Sequence, residues 1–321
     1  MTAAPGWVVG EQLASVLVVN YNGAKHLPAC LIALERQSIP RDRFEVVVVD
    51  NASADGSADL VRERFPWVRL LPLDRNTGFA EGNNVAARHA RGRLLVLLNN
   101  DTIPDPYWLE ELLRAADENP GRAVASKLVF AHDPRTINSA GLVLLRDGRG
   151  ADHGFRQSDI GQFEAGGPVF AACGAAVAIP APPPGQSVFD SRYFVYYEDL
   201  DAGWRAQLRG EGCVYAPRSL VRHVHGAAAG DGSPLFWFHV ERNRALTALR
   251  CADPFLAVWS GASLLAKAMQ AVLRAATGRR PWPVAWAVVR AVASYLWWFP
   301  AVLTERYLTR SWRGRTDAGG D

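Results

Sequence analysis

Three groups of side chains in this sequence have the types and spacing to do chemistry. The first, Tyr196-Tyr197-Glu198-Asp199-Leu200-Asp201, sets three carboxylates within four residues at the start of a helical pattern that closes at Leu208 and Gly210. Acidic residues there cap a helix and complement its dipole, which composition alone favours; the same groups could serve as a general base toward a hydroxyl. The second, Asn99-Asn100-Asp101, follows five unbroken apolar residues, 94–98. It reads either as a ligand site at the end of a buried strand or as an Asx turn leading into the helix after Pro104. The third is Val221-Arg222-His223-Val224-His225. Histidines at i and i+2 on a strand share a face, which suits a paired metal site or, more commonly, one structural and one functional histidine.

The elements that must position these groups alternate. Residues 14–20 form a strand candidate ending in the turn sequence Tyr21-Asn22-Gly23, followed by a helical pattern over 26–37; residues 44–49 form a second, ending at Asp50-Asn51. Residues 68–73 are a third strand, and Asn76-Thr77-Gly78-Phe79-Ala80-Glu81-Gly82-Asn83-Asn84 opens a helix that continues to about Arg91. A β-α-β rhythm of this kind predicts right-handed crossovers and a mostly parallel sheet flanked by helices, a Rossmann-like α/β fold. Successive strand ends rich in Asn and Asp then share one edge. The Gly-rich loop adds backbone N–H groups that can face an anion there.

Residues 106–119 read as a helix with Pro106 in its first turn, and 124–130 as a further strand. The stretch 132–167 has no clear period, and its His153 is expected at the surface or on the acceptor side. Residues 170–176 are small and include Cys173, and 181–185 are a breaker loop. His239, Glu241, Arg242 and Arg244 begin another helix, which presents either an Arg to a pyrophosphate or an ordinary solvated face.

The chain has 321 residues, of which 49% are hydrophobic and 21% charged, enough for one large α/β domain and an appendage. From Pro254 onward nine Lys and Arg face three Asp and Glu, a charge of +6 against −3 for the rest, and six of the eleven tryptophans lie there. Basic charge with tryptophan suits a membrane surface. Residues 255–273 and 282–303 are long apolar segments, each interrupted by one basic residue, Lys267 and Arg290. They are expected to lie in the interface rather than span it; packing on the catalytic domain or in a homodimer is the alternative. Cys30, Cys173, Cys213 and Cys251 are too scattered for a disulfide framework or zinc site. Residues 1–11 lack a basic n-region and the apolar run 16–19 is too short for a signal peptide, so the catalytic part is expected in the cytoplasm.

Val19-Asn20-Tyr21-Asn22, Val49-Asp50-Asn51-Ala52-Ser53, Asn76-x-Gly78-Phe79-Ala80-x-Gly82-Asn83-Asn84 and Leu98-Asn99-Asn100-Asp101, in that order and spacing, resemble the family 2 inverting glycosyltransferases of the GT-A fold. The resemblance covers about residues 15–250. It implies a catalytic domain over 1–250, with a nucleotide-sugar half at about 14–130 and an acceptor and base half at about 168–250, and a basic tail over 251–321. It implies nucleotide-sugar contacts at Asn20, Asn22, Asp50, Asn51, Asn76, Gly78, Asn83 and Asn100, with Asp50 on the base. Asp199 maps onto the family's catalytic base, with Glu198 beside it; Cys173, Asp201 and His225 fall on the acceptor side, Asp201 orienting either the acceptor or the helix. The triplet corresponds to the family's metal motif, which implies Mg²⁺ or Mn²⁺ at Asn99 and Asp101, with His223 favoured over His225. The motif's first position is usually Asp. Here it is Asn99, so Asp101 is the one firm anionic ligand of the triplet, and metal and nucleotide are expected to bind together.

The expected activity is transfer of one sugar, from dTDP-rhamnose or a UDP-hexose, to a polyprenyl-diphosphate-linked saccharide or other envelope glycan at the cytoplasmic face of the membrane. Rhamnosyltransferase-type members fit the pattern best. No Gln-x-x-Arg-Trp sequence of the processive members is present, so single addition is favoured. No nucleic-acid partner is expected. A sugar nucleotidyltransferase would carry a basic Gly-rich signature at the first strand, where Asn20-Tyr21-Asn22-Gly23 stands. A membrane-bound sugar-nucleotide binder without turnover is the other alternative, disfavoured by the Glu198-Asp199 pair.

Overall fold

The structure is a computed structural model that describes residues 14–183, 185–225 and 232–311. The N-terminal segment 1–11, Pro184 of the breaker, the alanine stretch 227–229 and Trp312 lie outside the described residues.

The apolar runs become strands covered on both faces. β1 (Ala14–Asn20) lies parallel to β2 (Phe44–Asp50) on one side and to β4 (Leu94–Leu98) on the other, and β2 lies parallel to β3 (Arg69–Pro72). Side chains alternate across the sheet, so Val16, Val18, Val46, Val48, Val96 and Leu98 enter one core. There they meet Leu27, Cys30, Leu31 and Leu34 of α1 (Leu27–Glu35) and Trp108 and Leu112 of α4 (Trp108–Glu118). Leu17, Val47, Val49, Leu95 and Leu97 enter the opposite core with Ala80 and Ala86 of α3 (Gly78–His89). Burial on both faces is why these strands show no alternation in sequence. α2 (Ser57–Arg64) completes the second crossover.

The sheet continues beyond β4 with a strand of opposite direction. β11 (Ala176–Pro180) runs antiparallel between β4 and β6 (Ala123–Phe130), and β12 (Cys213–His223) then runs parallel to β6. β5 (Thr102–Pro104) and β10 (Gly167–Val169) flank β12, and β7 (Asp133–Ser139) pairs with β6. The stretch without period thus supplies β7 and the hairpin of β8 (Leu142–Leu144) with β9 (Gly150–Asp152). α5 (Glu198–Arg209) carries the acidic cluster at its first turn.

Three helices close the described chain: α6 (Pro234–Cys251), α7 (Pro254–Ala276) and α8 (Trp282–Ser311). They share a core of Ala245, Leu246 and Leu249 with Leu264, Ala268, Ala271, Ala285, Val288, Ala291 and Tyr295. α6 therefore belongs as much to the helical unit as to the sheet, and an expected boundary at residue 250 falls at its last turn. Residues 254–276 and 282–307 are long and apolar enough to cross a membrane, with about a third of each apolar window or less inside the protein. Trp259, Trp282, Trp286 and Trp297 are exposed, together with Phe255, Val258, Met269 and Leu273, whereas Trp298 packs against the helical core.

A buried ionic cluster ties these parts together. Arg250 on α6 donates to both oxygens of Asp201 on α5 at 2.8 Å, pairs with Asp190, and lies 2.9 Å from Glu305 on α8. Asp201 is 0% exposed and also accepts from Arg205 and the Tyr193 hydroxyl, each at 2.9 Å. Burial raises Asp190, but the Arg192 and Arg250 guanidiniums bring it to about 2. Removing one partner of a buried pair leaves a charge without compensation. Arg250→Met is expected to destabilise the protein by on the order of 3 kcal/mol in urea unfolding at pH 7, while the surface variant Arg62→Met leaves the midpoint unmoved.

Candidate active site

Register aligns the polar strand ends. Asn20 pairs across from Asp50, and its amide donates to the Asp50 carboxylate at 3.0 Å and to Ser57 at 2.8 Å, while its oxygen accepts from Asn100 at 2.9 Å. Asn51 holds the next loop. Its oxygen accepts from Thr77 N–H at 2.7 Å and its nitrogen donates to the Gly78 carbonyl at 3.0 Å. Asn76 accepts from Gly78 N–H at 2.9 Å, and the Asn83 amide donates to the Phe79 carbonyl at 2.9 Å. Gly78 has φ +82°, and a Cβ there would stand 2.5 Å from the Phe194 ring, so this turn admits only glycine.

Asn20, Asn51 and Asn83 are each 1% exposed: the first two spend their amides on bonds at the strand ends, and Asn83 bonds back within α3. Asp50 is nearly buried at the same edge. Asn22, on a left-handed turn, is exposed, and Asn76 and Asn100 are half-buried.

The triplet follows β4. Asn99 N–H donates to the Ala175 carbonyl at 2.9 Å, and its side-chain oxygen is buried without a hydrogen-bond partner among the described residues. Val224 N–H donates to the Asp101 carbonyl, which brings the end of β12 alongside and sets His223 Nε2 3.2 Å from the Asp101 carboxylate. Burial raises Asp101, but the His223 contact takes it below the usual carboxylate range. Asn138 on β7 stands between the two histidines, its oxygen 2.8 Å from His223 Nδ1 and its nitrogen 3.3 Å from His225 Nδ1. With Asn138 Oδ1 accepting from Nδ1–H, His223 turns its Nε2 toward Asp101, the ring orientation of a histidine held by a second partner.

A carboxylate, an imidazole lone pair and an unpaired amide oxygen are a donor set that fits a hard divalent cation. Among the described residues no three His, Cys, Asp or Glu side chains converge to hold one alone. Substrate oxygens must complete the set.

At the first turn of α5, Asp199 accepts from Gly174 N–H at 3.0 Å and from Leu200 N–H at 2.7 Å. Burial raises Asp199 above its ordinary range and outweighs these lowering bonds. Glu198 is buried, with Oε2 lacking a partner among the described residues, and burial and the Asp199 charge push it well above its ordinary value. The opposition of like charge and helix dipole visible in sequence is thus decided upward by desolvation. Gly174 and Ala175 are consecutive, so one short segment anchors both Asp199 and Asn99.

Asp201 is on the same helix but enters the ionic cluster, so of its two expected roles only orientation of the helix fits. The Cys173 thiol is buried beside Asp152 and Asp199. His225 packs on Phe130 and Phe155. His153 is exposed. The charged start of α6 is neither solvated nor turned to a pyrophosphate: Arg242 donates to the carbonyls of Arg192 and Tyr193, and Arg244 pairs with Glu241. Burial and Arg242 lower His239 to about 4.

Two residues escaped the sequence reading, Asn138 and Asp152. Burial raises the Asp152 carboxyl to about 6, Ser139 opposes, and the Asp199 charge adds to the rise. Asn138 is the penultimate residue of β7 and Asp152 the last of β9, both within 132–167, where Asn138-Ser139-Ala140-Gly141 and Asp152-His153-Gly154 repeat the polar-then-glycine ending of the earlier strands.

Residues 15–163 match the model of Glycosyl transferase family 2. Glycosyltransferase AglE of Haloferax volcanii is 32% identical over 99 residues, 30% of this chain and 33% of that protein. The N-acetylglucosaminyl-diphospho-decaprenol L-rhamnosyltransferase of Mycobacterium tuberculosis is 28% identical over 242 residues, 67% of this chain and 77% of that one. The crystal structure of GalNAc-T7 with UDP, GalNAc and Mn²⁺ aligns with TM-score 0.61 at 15% identity, over 76% of this chain and 49% of that one. The mannosyltransferase PcManGT from Pyrobaculum calidifontis, in complex with GDP-Man and Mn²⁺, aligns with TM-score 0.50 at 20% identity, over 89% of this chain and 88% of that one. The shared fold is GT-A.

A carboxyl raised on folding stabilises the folded state at low pH, and that contribution is lost as pH climbs from the ordinary carboxylate range toward the raised value. Glu198→Gln removes the loss. Its melting temperature is expected to exceed the parent's at pH 8 by more than at pH 5; equal differences at both pH values would mean that Glu198 is not held raised.

Proposed function

We propose that this chain, a glycosyltransferase of the GT-A fold whose residues 15–163 are a family 2 domain, transfers a single sugar from a nucleoside-diphosphate sugar to a lipid-linked saccharide with inversion. The observation that carries the reading is the pair of bonds made by consecutive residues, Gly174 N–H to Asp199 and Asn99 N–H to Ala175 C=O. They set a carboxylate suited to accept a proton beside a polar cluster suited to a departing diphosphate.

In the proposed reaction the Asp199 carboxylate takes the proton of the acceptor hydroxyl as its oxygen forms a bond to the anomeric carbon. The bond from that carbon to the diphosphate breaks on the opposite face, and the nucleoside diphosphate leaves with the electron pair. Glu198 shares the buried space of Asp199, and an anionic Asp199 favours the protonated form of Glu198 beside it. Asp50 meets the nucleotide base at the end of β2, and Asn22, Asn76 and Asn100 border the same pocket. Mg²⁺ or Mn²⁺ would be held by Asp101, His223 and the Asn99 amide oxygen, and would supply charge neutralisation for the leaving diphosphate. With only one carboxylate among these three, affinity for the ion is expected to depend on the donor's phosphates.

The acceptor follows from the tail. α7 and α8 bury one face against α6 and leave the other apolar and rich in tryptophan, which fits helices seated in the plane of a membrane better than helices surrounded by lipid. The rhamnosyltransferase relative is named for a diphospho-decaprenol acceptor, and a polyprenyl-diphosphate-linked saccharide at the cytoplasmic face suits this geometry. A donor of the dTDP-rhamnose type is the reading nearest to that relative.

The test is nucleoside-diphosphate release from UDP-, dTDP- and GDP-sugars with Mg²⁺, Mn²⁺ or EDTA and a bacterial lipid extract. One donor is expected to be turned over in a metal-dependent way, and Asp199→Asn to lose about 10²-fold or more of the rate while retaining nucleotide binding. An Asp199→Asn variant as active as the parent removes the proposed base. In vesicle co-sedimentation the full chain is expected to bind phosphatidylglycerol membranes, and Trp259→Ser with Trp297→Ser to weaken that binding without altering nucleotide affinity. Unchanged vesicle binding would mean that this face is not the membrane contact.

A further inference from the structure

We propose that the Asp152 carboxyl accepts hydrogen bonds from hydroxyls of the transferred sugar and so selects the donor, a role that rests on the transferase reading of the same cleft. Asp152 ends β9, opposite Leu142 in the β8–β9 hairpin, and Leu142 in turn bridges to Ala171. The hairpin is thereby laid against the segment 170–175 that anchors Asp199 and Asn99. The Asp152 carboxyl meets the Ser139 hydroxyl and the Cys173 thiol, yet its Oδ1 is buried with no hydrogen-bond partner among the described residues. A buried carboxylate oxygen left unpaired costs free energy, and a ligand that donates to it recovers that cost.

The position decides which ligand group this is. Asp152 lies within electrostatic reach of both Asp199 and His223. In an inverting displacement the entering and leaving oxygens stand on opposite faces of the anomeric carbon. Asp199 attends the entering oxygen, and His223 with Asp101 the leaving one. A group that feels both ends flanks the sugar ring between them. What a ring offers there is hydroxyl donors, often vicinal, and a carboxylate with a free oxygen is the acceptor that suits them. Asn99 Oδ1 and Glu198 Oε2 are the other buried unpaired oxygens of this cleft, but they belong to its diphosphate and acceptor ends.

The experiment compares nucleotide with nucleotide-sugar. Binding of UDP, dTDP and GDP, and of the corresponding nucleotide-sugars, is measured calorimetrically in Mn²⁺ for the parent, Asp152→Asn and Asp152→Ala. For the base that the parent prefers, Asp152→Ala is expected to weaken the nucleotide-sugar roughly tenfold or more while the nucleoside diphosphate alone stays within about twofold, with Asp152→Asn between parent and alanine. Asp152→Asn keeps the shape of the side chain, so a normal melting curve for it separates recognition from folding. Loss of both ligands together, or of neither, overturns the inference. A parent that binds no nucleoside diphosphate at all overturns the transferase reading, and this inference with it.

Discussion

Arg250 and Asp201 meet where water does not reach, and most of what distinguishes this molecule from a bare α/β sheet follows from that pair. Its Coulomb attraction is strong because its surroundings are apolar, and the same surroundings make either charge costly alone. The pair fixes the axial position of α5 from within: Asp201 is one turn inside the helix that begins with Glu198 and Asp199. Tyr193 joins through its hydroxyl, which contacts Asp201 and Thr247, so the segment leading into α5 is held by the same bonds. On the far side, Glu305 brings α8 into the cluster, and Arg306 donates to the Leu249 carbonyl near the end of α6. A hydrophobic contact could slide by a fraction of a turn at little cost. This ionic one cannot.

That rigidity supports backbone that would not stand alone. Phe194, Tyr196 and Tyr197 all have positive φ, a region in which bulky side chains are strained. The Asn243 amide donates to the carbonyls of Tyr193, Val195 and Tyr196, gathering the segment from the side of α6. The bend presents two carboxyls at a helix N-terminus in a site that burial makes unfavourable to them as anions. Strain in the backbone and desolvation in the side chains are both concentrated at this turn, the pattern expected where function and stability compete.

How much of this the sequence could disclose depended on whether one residue or several carried the signal. The parallel strands were legible because Val46 to Val49 and Leu94 to Leu98 are apolar on both faces, and their ends because Asp50-Asn51 and Asn99-Asn100-Asp101 break the run abruptly. The acidic cluster was marked by its helix start. The hydrogen bonds of Asn20, Asn51 and Asn83 were not, since an amide's partners cannot be read until the loops around it are placed. Asn138 and Asp152 were hidden for another reason: β7 is irregular in register, β9 is only three residues long, and both are set in a segment without period, so only tertiary pairing with β6 and β8 brings them into place. The ionic cluster draws on residues 190 to 305, a separation over which no local pattern can speak.

The anchoring of Asp199 and Asn99 by adjacent residues works like a calliper with one stiff jaw. Gly174 and Ala175 cannot move apart, because the trans peptide between them holds their Cα atoms at about 3.8 Å. Covalent geometry therefore keeps the two anchor points together. On the proposed reading, a change of sugar leaves this segment alone and falls in the opposing jaw, the strand and hairpin of residues 133–152, of which β7 pairs irregularly. Reaction type and sugar preference would then be carried by separate stretches of chain, the second free to drift while the first stays fixed.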